Sequence, residues 1–143
     1  TYKLELENLI KEKNLNNIFH FAGNCLDMPA AYMLADIVVS ASTDPEAFGR
    51  IAIEAQAMGR IILASNHGGS SETVLHGQTG WLFENEDTKS LTGALEGALA
   101  LDSDNRKKIA TQSRAHVCAR YDLKDMQQAT LRVYEKALSK EVK

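Results

Sequence analysis

The chain has 143 residues, 44% of them hydrophobic and 24% charged, with a formal net charge of −3. That length fits one domain and that composition a packed core. The charge excludes the basic footprint of a nucleic-acid or anionic-membrane binder, and no apolar run reaches the roughly 20 residues needed to span a bilayer. Thr1 to Glu5 contain no apolar signal core. Cys25 and Cys118 lie far apart and, like the four histidines, show no metal-ligand spacing. Two reduced thiols in a cytosolic protein are expected.

Tyr2, Leu6, Leu9 and Ile10 recur at helical spacing, which predicts a helix from about Tyr2 to Lys13, ended by an Asn-rich stretch. Ile18-Phe19-His20-Phe21-Ala22 reads as a short strand closed by Gly23-Asn24. Asp27-Met28-Pro29 is a helix start, with a capping acid before a proline suited to the first turn, and this helix is expected to reach about Leu34. The run Asp36-Ile37-Val38-Val39-Ser40 predicts a strand buried on both faces. A polar turn then leads to a helix from about Phe48 to Met58, with Gly59 as its C-terminal cap. Ile61 to Ala64 form a second buried-strand run, followed by Asn66-His67-Gly68-Gly69 and a short helix around Glu72 to Leu75. The turn Gly77-Gln78-Thr79-Gly80 precedes a small edge strand, Trp81-Leu82-Phe83. Helices are expected over Thr88 to Leu99, Ser103 to Arg120 and Leu123 to Ser139. No repeat, low-complexity tract or linker is visible. Alternation of strand and helix implies parallel strands with helical crossovers, an α/β, Rossmann-like doubly wound sheet in three layers.

Ligands of open α/β sheets settle outside the carboxyl ends of the strands. Three loops qualify: Gly23 to Asp27, Ala41 to Arg50, and Ser65 to Glu72. The middle loop is the most informative. It sets Glu46 beside a helix N-terminus and Glu54 about two turns further on. Such an N-terminus presents unpaired N–H groups and attracts phosphate, while carboxylates repel phosphate but accept from sugar hydroxyls. Together they suggest a ligand with both groups, such as a nucleotide-activated sugar. Gly49 leaves the N–H groups of about Phe48 to Arg50 open to an anion, and Arg50 either adds a positive charge or pairs with Glu54 one turn on. Taken alone, Glu54 is equally readable as a solvated surface acid. Gly68 and Gly69 are either a plain turn or a place where backbone approaches a ligand, and His67 is the histidine nearest this cleft. Paired carboxylates also occur in glycoside hydrolysis, but a hydrolytic pair faces one scissile bond rather than a phosphate-type helix end.

The series Asp36-Ile37-Val38-Val39-Ser40, Glu46-Ala47-Phe48-Gly49, Glu54-Ala55, Gly59-Arg60, Gly68-Gly69, Glu72 and Gly77-Gln78-Thr79-Gly80 resembles the C-terminal domain of the group 1 (family 4) glycosyltransferases, retaining enzymes of the two-domain GT-B fold. The resemblance is ordered and centres on two glutamates with seven residues between them. It implies a donor-binding domain over residues 1–143. Glu46 resembles the catalytic-site glutamate near the donor sugar. Phe48, Gly49 and Arg50 match the segment whose N–H groups approach sugar and diphosphate. Glu54 matches the acceptor for the ribose hydroxyls, Gly23 lies where the nucleobase is expected, and Gly68-Gly69 complete the donor site. Arg50 stands where the family usually has an aliphatic residue. The implied donor is a UDP- or GDP-linked sugar, with no tightly bound cofactor and no metal.

Measured against the family pattern, the chain starts after the N-terminal acceptor domain and after a strand–helix–strand that carries a basic pair for the diphosphate, while its end resembles the family terminus. Four expectations follow. The isolated chain is not a competent transferase. The family's sheet order leaves a gap between the Ile18 and Ile37 strands, so homodimerisation, strand exchange or a partner chain is expected. The location is cytoplasmic or at the inner membrane face, with membrane contact only through parts outside this chain. The biological setting is cell-envelope polysaccharide or lipopolysaccharide synthesis. A noncatalytic nucleotide-binding or interaction module of the same fold is the alternative, separable by whether a companion acceptor domain exists.

Overall fold

The computed structural model describes residues 1–140 and centres on strand β2 (Ile61–Ser65), every residue of which is buried. It pairs in parallel with β1 (Ile37–Ser40) on one side and with β3 (Trp81–Phe83) on the other, giving the order β1-β2-β3. The period-2 alternation of a strand divides its side chains between two layers. Ile62 and Ala64 face one cluster with Tyr32, Ala52, Ala55 and Val74, while Ile61 and Leu63 face another with Phe83, Ala98 and Ile109. The first cluster lies under α2 (Met28–Leu34), α3 (Arg50–Ala57) and the end of the short α4 (Gly69–Thr73); the second lies under α5 (Thr88–Leu99) and α6 (Ser103–Arg120). This is the predicted three-layer α/β/α arrangement with a parallel sheet. Helix α1 (Tyr2–Glu12) opens the chain and α7 (Leu123–Lys140) closes the described part, a helical C-terminus as expected.

Local chemistry explains most boundaries. The Asp27 side chain accepts from the Ala30 N–H at 3.0 Å, Asp87 from those of Lys89 and Ser90, and Asp102 from that of Asn105, so each satisfies donors that a helix start leaves unpaired. Helix α3 ends as predicted at Gly59, which has φ 64°. There the Gly59 N–H donates to the Gln56 carbonyl and the Arg60 N–H to the Ala55 carbonyl, both at 2.9 Å, the paired bonds of a Schellman ending. In the turn Gly77 to Gly80, a Cβ at Gly80 would stand 2.6 Å from the Ile62 carbonyl oxygen, so this glycine lets the turn lie directly on β2.

Two expectations are corrected. Residues 18–22 form no strand: they run exposed and pair with no strand among the described residues. Aromatic and aliphatic residues such as Ile18, Phe19 and Phe21 favour extension, but a strand exists only through a neighbour's hydrogen bonds. Strand β1 is not buried on both faces. It is an edge, and Val39 keeps 43% of its surface. Smaller shifts concern helix starts: α3 begins at Arg50 rather than Phe48, and α4 spans Gly69–Thr73 rather than Glu72 to Leu75.

Candidate functional site

The carboxyl ends of β1 and β2 carry two loops that lie backbone against backbone. From Ser40 the chain runs through 41–49 into α3, and from Ser65 through 66–68 into α4. The Gly69 N–H donates to the Glu46 carbonyl at 2.7 Å. A Cβ at Gly68 would stand 2.6 Å from that same oxygen, one at Gly69 would overlap the Phe48 backbone, and one at Gly49 would lie 3.2 Å from the Ser70 nitrogen. All three glycines are therefore needed for loop-to-loop contact. For Gly68 and Gly69 this adds a third role to the two read from sequence, since here backbone approaches backbone. Gly49, at φ 74°, is the N-cap residue of α3 and supplies no side-chain cap. The N–H groups of Arg50 and Ile51 are by position among those with no intrahelical acceptor.

Glu46 sits half-buried in the first loop. Its Oε1 accepts from the Ser42 hydroxyl at 2.8 Å and, at the longer distance of 3.5 Å, from Ser40. His67 crosses from the second loop to the first, its Nε2 lying 2.8 Å from the Ser42 carbonyl oxygen. A carbonyl only accepts, so this contact requires the proton on Nε2 and leaves Nδ1 as an acceptor. That Nδ1 is buried and has no partner among the described residues. His67 thus ties the second loop to the first at Ser42, itself a donor to Glu46, and is half-buried rather than exposed.

Glu54 projects from the second turn of α3 with 34% of its side chain exposed. The Tyr32 hydroxyl donates to Oε2 at 2.9 Å, and Arg50 Nη2 reaches Oε1, also at 2.9 Å. The Arg50–Glu54 pairing read from the four-residue spacing is thereby present. Burial pushes the Tyr32 phenol up to about 12, helped by the hydrogen bond and charge of Glu54 and opposed by the charge of Arg50. The phenol is consequently a neutral donor throughout the ordinary pH range. A carboxylate offers about four lone-pair sites, so Glu54 retains acceptor capacity beyond these two donors. Beside it runs a groove of about 410 Å³ between α2 and α3, lined by Met28, Pro29, Tyr32, Arg50, Glu54, Ala57 and Met58.

Phe48 is 51% exposed and meets Tyr121 edge-to-face, with ring centroids 5.8 Å apart. It borders a second recess at the α6–α7 corner. Gly23 has φ 74° in the exposed segment before α2, and among the described residues nothing lies within 4 Å of where its Cβ would stand. It is not drawn into contact with the two loops. No group of three or more His, Cys, Asp or Glu among the described residues could hold a metal ion. Sequence reasoning missed Tyr32 and Ser42. Tyr32 was traceable as the lone aromatic of a short apolar helix, and Ser42 as a hydroxyl four residues before an acid.

The family model described as glycosyl transferases group 1 matches residues 1–116. The chain belongs to the group 1 glycosyltransferase family. Among its curated relatives, the lipopolysaccharide 1,2-N-acetylglucosaminetransferase of Salmonella typhimurium is 38% identical over 98 residues, 68% of this chain and 25% of that protein. A D-inositol 3-phosphate glycosyltransferase of Corynebacterium urealyticum is 32% identical over 108 residues, 76% of this chain and 25% of its own. The solved structure of a Rickettsia africae glycosyltransferase superposes with a TM-score of 0.92 at 33% identity, over 96% of this chain and 36% of that one. That of Anabaena HepE in complex with UDP-glucose gives 0.89 at 29% identity, over 94% and 37%. The chain therefore spans about a quarter of the length of these curated relatives and little more than a third of these structures. Its parallel sheet and helical C-terminus match the C-terminal, Rossmann-like domain of the GT-B fold. No helix among the described residues is long and apolar enough to cross a membrane.

Proposed function

We propose that residues 1–143 are the donor-binding half of a retaining glycosyltransferase and take a nucleoside-diphosphate sugar across the start of α3. One observation carries this reading. An N-terminus without a side-chain cap stands between two carboxylates, and hydroxyl donors hold each of them. Backbone N–H groups of about Phe48 to Arg50 suit a diphosphate, Glu46 the sugar hydroxyls, and Glu54 the ribose hydroxyls. Gly23 is assigned to the nucleobase side, and Gly68-Gly69 act by fixing the loop that bears Glu46 and Phe48. During transfer, charge develops on the departing diphosphate, and preorganised N–H dipoles stabilise it with little reorganisation. The acceptor site and further diphosphate cations belong to an N-terminal domain or partner chain, so this chain alone is expected to transfer no sugar. HepE with UDP-glucose supports a UDP-linked donor, while GDP remains the competing base. The Salmonella relative, by name a lipopolysaccharide N-acetylglucosaminetransferase, supports a cell-envelope glycan as the product.

Calorimetric titration with UDP and with GDP tests the reading. Glu54→Ala should weaken binding of the preferred nucleotide by about 1.5–3 kcal/mol, the value of a hydrogen bond to a charged acceptor. Equal binding by both proteins removes Glu54 from the site.

A further inference from the structure

Tyr32 is the one buried residue of α2, 6% exposed, and its hydroxyl ends on Glu54. The two donors on that carboxylate differ in kind. Arg50 is 82% exposed and linked to Glu54 by one turn of the same helix, an arrangement that water and salt weaken. Tyr32 comes from a different helix, and its ring is packed in the core cluster with Ala52, Ala55 and Ile62. Helix α2 is itself anchored at its start by the Asp27 cap and by a proline in the first turn. A glutamate on a helix surface has three free torsions, and a fixed donor on one oxygen removes much of that freedom before any ligand arrives.

We propose that Tyr32 is a positioning residue: its hydroxyl pins Oε2 of Glu54, so that Oε1 is presented to the α2–α3 groove for ribose hydroxyls, with Arg50 a displaceable cover on Oε1. This rests on the ribose role given to Glu54 above. The exchange is favourable because a hydroxyl held against a carboxylate outweighs an exposed ion pair within one helix. Freed, the guanidinium remains at the first position of α3, beside the place assigned to the diphosphate. The phenol suits its task because burial keeps it protonated, hence a donor, at every pH where the nucleotide binds.

The test is an NMR-detected titration of the whole chain with UDP and with GDP, each against its 2′,3′-dideoxy counterpart, carried to tens of millimolar so that a weak site is read. The wild type should prefer the preferred base's ribose form over the dideoxy form by about tenfold. Tyr32→Phe keeps the ring that fills the core and should reduce that preference to about twofold or less while leaving dideoxy affinity unchanged. In a Glu54→Ala background the same substitution should change neither affinity. A merely structural role would weaken both forms equally, and that result, or a preference left intact in Tyr32→Phe, overturns the proposal. A wild type without preference, or a Glu54→Ala protein that keeps it, overturns the ribose role as well, and the Glu54 arm shows which of the two has failed.

Discussion

At the scale of single residues, Gly68 and Gly93 predict opposite responses to the same substitution. Gly68 has φ 56° and ψ −148°, a region reserved for glycine, and its Cβ would stand 2.6 Å from a backbone oxygen. Gly68→Ala should cost about 1–3 kcal/mol in chemical denaturation, through strain and displacement of the Glu46 loop. Gly93 lies inside α5 with nothing within 4 Å of a Cβ, so Gly93→Ala should stabilise by about 0.5–1 kcal/mol. Tyr32 yields a pH prediction. Its folded pKa of about 12 lies above the ordinary 10.0. The linked stability is therefore full below pH 10 and lost as the pH rises through about 12, because the unfolded chain releases the proton first. Spectrophotometric titration of the tyrosinate band should show one late step that Tyr32→Phe removes. A Tyr32→Phe protein with the same alkaline profile as wild type would contradict the buried Tyr32–Glu54 contact.

At the scale of elements, the helix caps make the clearest prediction. Asp87 accepts from two N–H groups at the start of α5, at 2.8 and 3.1 Å, so Asp87→Ala should lower stability by about 1 kcal/mol, read by thermal or denaturant melts. Such caps also mark where α5 and α6 begin: an aspartate stands before each one, and that is a local signal. The loops of the site were legible for a similar reason, since glycines and acids after apolar strands mark the carboxyl edge of a parallel sheet. Pairing was not legible. Ile18 to Ala22 and Ile37 to Ser40 both read as strands from sequence, yet among the described residues only the second finds a neighbour, and it does so on one side alone. The work of Tyr32 and His67 was likewise hidden, because each acts on a residue that only the fold brings near. Tyr32 and Glu54 are 22 positions apart in sequence, and His67 and Ser42 are 25.

At the scale of the molecule, β1 is an edge strand among the described residues, and apolar surface is scattered far from the core. Phe19, Phe21, Leu26 and Val39 are exposed on the first third of the chain, and Leu131, Tyr134 and Leu138 follow helical spacing on exposed α7. Free strand edges and apolar patches favour association, so we predict self-association or binding of a partner chain. Sedimentation showing a monomer at micromolar concentration would count against it. The donor-binding role itself is open to one direct measurement, the amide-resolved NMR map of UDP-glucose binding to this chain. The largest shifts should fall on the amides of residues 48–51 and on Glu46 and Glu54, at the start of α3 and beside the α2–α3 groove. Largest shifts at the α6–α7 corner, or none at the start of α3, would contradict a donor site between the two glutamates.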